Sequence, residues 1–182
     1  MQSEIDILRD VSKKLDSVGI AFMLTGSVAM SYYATPRMTR DIDIVVALKS
    51  GDTRKVFDLF GGEYYISQES VAEAILRNSM FNIIHLGSVI KVDFMVLTNT
   101  PFAFSEFERR NDVVLGDFKT TIISLEDLIL SKLVWARESA SEMQLRDVRN
   151  LLTVDCDHHY LRKWARDLNV LETLEALLLS DE

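Results

Sequence analysis

The segment Asp41–Ala47 reads DIDIVVA, and its alternation of acidic and apolar residues constrains the fold more than any other stretch of the sequence. Residues two apart in a β-strand point to the same side of a sheet. Asp41 and Asp43 therefore share one face of the predicted strand, with Cα atoms roughly 6–7 Å apart, and Ile42 and Ile44 share the other. The pattern predicts a strand with a buried apolar face and two neighbouring carboxylates on the opposite side.

The segment KVDFMV, further along the chain, repeats this arrangement. It places Val92 and Phe94 on an apolar face and Asp93 on the other. Aspartate is disfavoured in strands and like charges repel, so a multivalent cation would remove a real cost. If the two strands are neighbours, Asp93 joins Asp41 and Asp43 in a three-carboxylate cluster of the kind that suits Mg²⁺. The alternative is an ordinary strand with one solvent-exposed face.

A Gly-Ser pair lies thirteen residues before the first acidic strand. Gly26 and Ser27 follow the apolar run Ile20–Leu24 and precede a segment compatible with a helix. Glycine lets the backbone approach a ligand closely, and a helix N-terminus presents free N–H groups to an anion. The pair alone would be an ordinary strand-to-helix turn, but beside three carboxylates it indicates phosphoryl-group chemistry.

The order of predicted elements divides the chain near residue 123. The sequence SLED, with Ser124 as N-cap and Asp127 at the third helical position, opens a run of helical segments. We therefore predict an α/β core over residues 1–123 and a helical region over residues 124–182. The predicted strands are Ile20–Leu24, Asp41–Ala47, Phe81–Leu86, Val89–Leu97, Val113–Leu115 and Phe118–Ile123. The predicted helices are an amphipathic segment from Ile5 to Val18, then Val28–Ala34, Asp52–Phe60, Glu69–Arg77, Leu125–Arg137, Glu142–Leu152, His158–Leu168 and Leu171–Leu179.

Composition narrows the class of protein. The chain has 182 residues, 48% of them hydrophobic, so one domain, or one domain with a small helical appendage, can bury a real core. Its net charge of −8 disfavours broad binding to duplex nucleic acid and favours a small substrate or one nucleic-acid end. No apolar run approaches the roughly 20 residues that span a bilayer. With one cysteine and no signal-peptide pattern, we expect a soluble cytoplasmic protein without a membrane partner.

These motifs resemble the signature of a known superfamily. Gly-Ser, thirteen residues, Asp-Ile-Asp-Ile and then Val-Asp-Phe around Asp93 are similar to the hG[GS]…Dh[DE]h pattern of nucleotidyltransferases, whose catalytic core is shared with DNA polymerase beta. The RMTRDIDI block and the helical SLEDLILSKLVWAR…LRDVRNLL are most similar to small stand-alone bacterial members, including abortive-infection toxins. Those proteins often carry an aspartate where this chain has Asn150. The resemblance implies a mixed sheet flanked by helices, with a helical C-terminal segment.

The resemblance also implies a reaction and its residues. Asp41, Asp43 and Asp93 would hold two Mg²⁺ ions, which activate an acceptor hydroxyl and stabilise the leaving pyrophosphate. Gly26 and Ser27 would bind the β- and γ-phosphates of an NTP. The function implied is transfer of an NMP group from the NTP to the hydroxyl, mostly by positioning and charge neutralisation.

Three basic residues are candidate ligands of the triphosphate. Arg37 lies in the loop before the acidic strand and is the favoured one. Arg40 is adjacent to Asp41, and because neighbouring strand residues face opposite ways it could lie on the back of the sheet. Lys132 belongs to a predicted helix, where a solvated surface lysine is an equally good interpretation.

Several alternatives stay open from the sequence. The acceptor could be a protein side chain, a tRNA end or a small molecule, and a toxin would have an antitoxin protein as its partner. The chain could instead be a non-catalytic nucleotide-binding or interaction protein that keeps the fold. We assign Asp157 to a helix cap rather than to a zinc site, and Arg146 with Asp147 to a local ion pair. The apolar stripe is attributed to the core or to a homodimer face, and comprises Leu161, Trp164, Leu168 and Leu171.

Overall fold

The computed structural model describes residues 3–36 and 41–179, which form one mixed sheet with helices packed against it. Within these residues the strands are β1 (Phe22–Thr25), β2 (Asp41–Val46), β3 (Tyr64–Tyr65), β4 (Met80–His85), β5 (Lys91–Val96), β6 (Asn111–Leu115) and β7 (Phe118–Ile122). The helices are α1 (Glu4–Ser17), α2 (Gly26–Tyr33), α3 (Thr53–Phe60), α4 (Gln68–Arg77), α5 (Pro101–Glu108), α6 (Leu125–Ser139), α7 (Glu142–Leu152), α8 (His158–Asp167) and α9 (Leu171–Leu179). None of these helices is both long and apolar enough to cross a bilayer.

The sheet order brings the two acidic strands together. The strands follow the order β3-β4-β5-β2-β1-β7-β6, so β2 lies between β1 and β5. β2 pairs with β5 in parallel and β1 with β7 in parallel, while the remaining neighbours are antiparallel. This mixed sheet confirms the predicted fold class. The condition set from the sequence is met, because the strand carrying Asp93 is a direct neighbour of the strand carrying Asp41 and Asp43.

The alternation within β2 has the predicted structural consequence. Ile42, Ile44 and Val46 are buried to 1% exposure or less, whereas Asp41 is exposed and Asp43 half-buried. The apolar face therefore faces the hydrophobic core. Side chains of the helices after residue 124 belong to the same continuous hydrophobic cluster as the sheet, among them Leu128, Leu133, Leu161 and Leu174. Packing of this cluster fixes the position of α6 and α7 relative to the acidic strands.

Most predicted elements are present, with ends shifted by a few residues, but one strand and one α-helix were missed. The first is β3, a two-residue edge strand too short to leave a pattern. The second is α5, whose apolar residues are distributed around the helix, with Ala103 buried and Phe104 47% exposed. No 3.6-residue periodicity marks such a segment. The signal that could have found it is Thr100-Pro101, since Thr100 caps the helix and proline is favoured at the first helical position.

Candidate active site

The carboxylates of β2 and β5 converge at one end of the sheet. In the parallel pairing Asp43 lies directly opposite Asp93, and Asp41 lies opposite Lys91. Asp93 is 7% exposed, which is unusual for an aspartate and requires a compensating partner. Lys91 provides it, because its Nζ lies 2.8 Å from Asp93 Oδ2 and 3.8 Å from Asp41 Oδ1. The sequence reasoning placed the three aspartates together but gave no role to Lys91.

Among the residues that the structure describes, positive charge only partly balances the negative charge of this cluster. Burial raises the pKa of Asp43, and the neighbouring charges of Asp93 and Asp41 raise it further, while Lys132 and Lys91 act in the opposite direction. The hydrogen bond to Asp93 is the main reason that the pKa of Lys91 is raised. Asp43 thus carries an electrostatic cost in its ionised form that added positive charge would remove.

The donor set fits a hard divalent cation by its chemistry. Three carboxylates at adjacent positions on neighbouring strands supply oxygen ligands of the kind that Mg²⁺ prefers. The ammonium of Lys91 between Asp93 and Asp41 shows that this end of the sheet accepts a cation. As placed in the structure, no three or more His, Cys, Asp or Glu side chains among residues 3–36 and 41–179 form a group that could hold a metal ion. A metal bound here would therefore need ligands from water or substrate as well.

Gly26 is packed directly against Asp43. It is the first residue of α2 and has a φ of +63°, in the region that favours glycine. A Cβ atom at this position would lie 2.9 Å from Asp43 Cβ, 2.7 Å from Cγ and closer still to Oδ2. Ser27, the next residue, is 6% exposed, and the Thr25 side chain makes no capping hydrogen bond to the helix. The first turn of α2 therefore begins against the carboxylate, with its N–H groups uncapped by Thr25.

A cavity of about 170 Å³ joins these elements to α6. Its wall includes Gly26, Asp43 and Lys132. Lys132 is 3% exposed, so the interpretation as a solvated lysine is wrong. Its Nζ donates hydrogen bonds to Asp147 Oδ2 at 2.7 Å and to Gln144 Oε1 at 3.0 Å. The buried ammonium of Lys132, which is hydrogen-bonded to two side chains of α7, thus lines the same cavity as Asp43.

The partner of Asp147 differs from the one predicted. Asp147 is 4% exposed and faces α6, where it binds Lys132, rather than forming a surface pair with Arg146 one residue earlier. A buried carboxylate needs such a cation because an unpaired buried charge is strongly unfavourable. Asn150, on the same helix, donates its side-chain amide to the Thr35 carbonyl at 3.0 Å. Side chains of α7 therefore form hydrogen bonds both to Lys132 and to the chain segment that follows α2. The predicted triphosphate ligands Arg37 and Arg40 lie outside the described residues.

Glu106 is a candidate site residue that the sequence reasoning missed along with α5. It lines the same cavity as Asp43, and its Oε2 accepts a hydrogen bond of 2.9 Å from Ser131 Oγ on α6. Burial raises the pKa of Glu106 to about 7, the hydrogen bond from Ser131 opposes this, and the charge of Asp127 adds to it. A carboxyl group that titrates near neutral pH beside a cluster of acids marks a functional-site candidate.

Replacing Glu106 with glutamine should remove a pH-dependent loss of stability. The carboxyl pKa rises from 4.5 in the unfolded reference to about 7 in the fold, so the folded state binds more protons between these values. The stability contributed by this group is complete below pH 4.5 and is lost as pH rises through about 7. At pH 8, Glu106→Gln should exceed wild type by roughly 2–3 kcal/mol, with little difference at pH 4. Urea unfolding at both pH values measures this.

The matched control for that substitution is Glu108→Gln. Glu108 lies on the same helix but is exposed. Its replacement should leave the pH dependence of unfolding parallel to that of wild type. Parallel profiles for Glu106→Gln would contradict a buried carboxyl that titrates near pH 7.

The remaining candidates have structural roles. Asp157 is the N-cap of α8 and accepts a hydrogen bond of 2.9 Å from Tyr160 N, as predicted. Burial and three neighbouring acids raise the pKa of the Cys156 thiol to about 11, so it is a poor nucleophile. In the apolar stripe of α8, Leu161 is fully buried, and Trp164 packs against the same core, which supports the core interpretation over a dimer face.

Comparison with known proteins places this arrangement in a recognisable fold. No protein-family model and no curated protein sequence matches the chain. An antigenic nucleotidyltransferase-like protein from Paracoccidioides brasiliensis has a TM-score of 0.55 at 16% identity, over 82% of this chain and 76% of that one. The lincosamide antibiotic adenylyltransferase LnuA, solved with lincomycin, has a TM-score of 0.54 at 15% identity, over 84% and 98%. ANT(2")-Ia in complex with adenylyl-2"-tobramycin has a TM-score of 0.51 at 12% identity, over 100% of both chains. The chain therefore has the fold of nucleotidyltransferases.

Proposed function

We propose that this protein is a Mg²⁺-dependent nucleotidyltransferase that moves an NMP group from an NTP to an acceptor hydroxyl. The observation that carries the proposal is the opposition of Asp43 and Asp93 on neighbouring parallel strands, with Gly26 at the start of a helix packed against Asp43. This arrangement sets a phosphate-binding helix end beside metal-binding carboxylates. Solved structures with the same fold include an adenylyltransferase, which supports NMP transfer in general.

Each residue of the cluster has a specific role in this proposal. Asp41, Asp43 and Asp93 would hold Mg²⁺, with two ions implied by the family resemblance. When bound, Mg²⁺ neutralises triphosphate charge and lowers the pKa of the acceptor hydroxyl. The uncapped N–H groups of Gly26 and Ser27 would bind the β- and γ-phosphates. The acceptor hydroxyl would lose its proton to solvent, its oxygen would bond to the α-phosphorus, the bond from the α-phosphorus to the bridging oxygen would break, and pyrophosphate would leave.

The basic residues complete the proposed donor site. Lys132 is the described candidate, because it lines the cavity with Asp43 and its positive charge partly offsets the rise in the pKa of that carboxyl. Since its Nζ is already bonded to Asp147 and Gln144, it would act as a fixed positive charge rather than as a mobile ligand. Arg37 and Arg40 stay sequence-based candidates for the triphosphate.

Transfer of label from each α-labelled NTP tests the function. Purified protein with Mg²⁺ should label a component of a lysate and release pyrophosphate, and EDTA should abolish both. Isothermal calorimetry should show NTP binding that requires Mg²⁺. A protein that neither binds any Mg²⁺–NTP nor labels any lysate component would contradict the proposal.

A non-catalytic nucleotide-binding protein is the second candidate, and Lys91 favours it. Its ammonium already bridges Asp93 and Asp41, so the chain neutralises part of its acidic cluster without a metal. This candidate predicts thermal stabilisation by Mg²⁺–NTP without label transfer to any lysate component. Label transfer that is lost on chelation of Mg²⁺ would exclude it.

The finer assignments of the sequence resemblance are separate proposals. An abortive-infection toxin would arrest growth on expression, and a neighbouring antitoxin gene product would relieve the arrest. Harmless overexpression would contradict this role. A cytoplasmic location agrees with the single cysteine, Cys156, and the homodimer stays a proposal that sedimentation of the purified protein would test.

A further inference from the structure

Lys91 places a positive charge among the carboxylates that the proposed function assigns to Mg²⁺. Strand alternation puts Lys91 and Asp93 on one face of β5, and the parallel register puts Asp41 and Asp43 on the same face of β2. The Nζ of Lys91 lies 2.8 Å from Asp93 Oδ2 and 3.8 Å from Asp41 Oδ1, so one ammonium contacts carboxylates of both strands. A metal ion on these oxygens would meet that ammonium at close range.

The carboxylates are arranged about an ammonium and not about a metal ion. The contact of 2.8 Å between Lys91 and Asp93 is a hydrogen-bonding distance, whereas oxygen ligands bind Mg²⁺ at about 2.1 Å. In the described part of the chain the acidic side chains form no group that could hold a metal. Metal binding therefore requires these carboxylates to move closer together, and the ammonium between Asp93 and Asp41 opposes that movement by its charge and its volume.

Lys91 is able to leave this position, whereas Lys132 is not. The Lys91 side chain is 38% exposed, and its flexible four-carbon stem can carry the ammonium into water. Lys132 is 3% exposed and fixed by hydrogen bonds to two side chains of α7. Departure of the Lys91 ammonium alone would leave the 7% exposed carboxylate of Asp93 without this partner, which is unfavourable. The departure becomes favourable when a second cation replaces the ammonium.

We propose that Lys91 is a built-in counter-ion, which holds the acidic cluster together in the metal-free protein and moves into solvent when Mg²⁺ binds. The identity of the displacing cation rests on the proposed function. Lys91 then weakens the binding of free Mg²⁺, because each binding event has to break its contacts with Asp93 and Asp41. In this role Lys91 is a positioning residue that acts through the carboxylates and not on a substrate.

Replacing Lys91 with methionine should change metal affinity and stability in opposite directions. Isothermal calorimetry with Mg²⁺ alone should show binding about 3- to 10-fold tighter than in wild type, because no ion pair has to be broken first. In EDTA the thermal midpoint should fall by about 2–6 °C, since Asp93 loses its counter-ion. Saturating Mg²⁺ should close most of this difference. A lysine with a merely structural role would lower the thermal midpoint at every Mg²⁺ concentration and would not tighten metal binding.

Two further variants separate occupation of the site from charge in general. Lys119→Met removes an exposed lysine from β7 of the same sheet and should leave Mg²⁺ affinity unchanged. Lys91→Arg keeps the charge, but a guanidinium can bind a carboxylate through two donors at once. This variant should bind Mg²⁺ about 3-fold or more weakly than wild type. Equal Mg²⁺ affinity of Lys91→Arg and wild type would overturn the proposal, because charge alone would then account for the effect.

NMR of the lysine ammonium groups observes the displacement directly. The Nζ signal that is missing from Lys91→Arg should have the slow proton exchange of a hydrogen-bonded ammonium in EDTA. Addition of Mg²⁺ should shift it to the position and fast exchange of a solvated lysine. A Lys91 signal that is unchanged at saturating Mg²⁺ would show that the ammonium stays in place and would overturn the proposal.

Metal binding and label transfer fail independently. Equal Mg²⁺ affinity of Lys91→Met and wild type, together with label transfer, would refute the role of Lys91 and leave the proposed function intact. Displacement of Lys91 by Mg²⁺ without label transfer would support the role of Lys91 and refute the catalytic function. If neither wild type nor Lys91→Met binds Mg²⁺, with or without an NTP, both proposals are refuted.

Discussion

Replacing Asp43 with asparagine should make the metal-free protein more stable and nearly inactive. The ionised carboxylate is disfavoured by burial and by the charges of Asp93 and Asp41, which together raise its pKa. Asparagine keeps the shape and removes the charge, so we expect a gain of about 1 kcal/mol, within the range that relief of charge repulsion commonly yields. Loss of a metal-binding carboxylate should lower NMP transfer by about three orders of magnitude.

The pH dependence of the stability gain follows from the sign of the pKa shift. Because the folded pKa of Asp43 lies above its value of 3.8 in the unfolded reference, its contribution to stability is complete below that value and is lost as pH rises. The advantage of Asp43→Asn should therefore be absent in acid and largest at neutral pH. Urea unfolding in EDTA measures it, and Mg²⁺ titration of the thermal midpoint measures metal binding.

The control for Asp43→Asn removes a carboxylate far from the cluster. Asp58→Asn breaks an exposed pair with Arg54 and should change stability by no more than about 0.5 kcal/mol, with full activity. Asp43→Asn protein that transfers label at the wild-type rate would show that this carboxylate takes no part in catalysis. A variant that is less stable than wild type at neutral pH would show that the carboxylate is instead held by favourable contacts.

The sequence predicted the carboxylate strands well because their pattern is local. The alternation of apolar and acidic residues predicts which face of β2 is buried. The burial of Ile42 and Ile44 agrees with this prediction. The pairing of β2 with β5 joins segments separated by two α-helices and two strands, so it could be stated beforehand only as a condition. Asp43 lies opposite Asp93 because the two strands pair in parallel in this register. No local sequence pattern specifies that register.

The positions whose surroundings the sequence could not predict depend on distant partners. Lys132 is an ordinary helix lysine in the sequence, and its contact with Asp147, fifteen residues later and on another helix, helps to explain its burial. Asp147 has Arg146 beside it, yet adjacent helix residues point in different directions, so the local pair does not form. Glu106 was missed because α5 has no periodic apolar face, and its raised pKa arises from burial that the tertiary structure creates.

Replacing Gly26 with alanine should displace Asp43 and abolish most of the activity. The added Cβ would lie 2.7 Å from Asp43 Cγ, closer than real Cβ atoms approach other atoms, and the φ of +63° adds strain. We expect a loss of about 2–4 kcal/mol from strain and overpacking together. A shift of the carboxylate by about 1 Å should lower NMP transfer by roughly 100-fold.

Gly19→Ala separates the clash from the backbone strain. Gly19 has a φ of +67°, and a Cβ added there would have no neighbour within 4 Å. This variant should lose only about 1–2 kcal/mol, from the left-handed conformation, and keep full activity. If Gly26→Ala behaves like Gly19→Ala in both respects, the contact with Asp43 does not constrain the site.

A double-mutant cycle identifies the atoms that cause the loss of stability in Gly26→Ala. In an Asp43→Ala background the Oδ2 and Cγ contacts of the new methyl group vanish, and of its three nearest contacts the one of 2.9 Å with the Cβ of residue 43 is left. Gly26→Ala should therefore cost at least about 1 kcal/mol less in that background than in wild type, since contacting residues couple by amounts of this size. Additive losses would place the cost in the backbone conformation of Gly26 rather than in its packing. Coupling would instead show that the carboxylate at position 43 restricts the first residue of α2 to glycine.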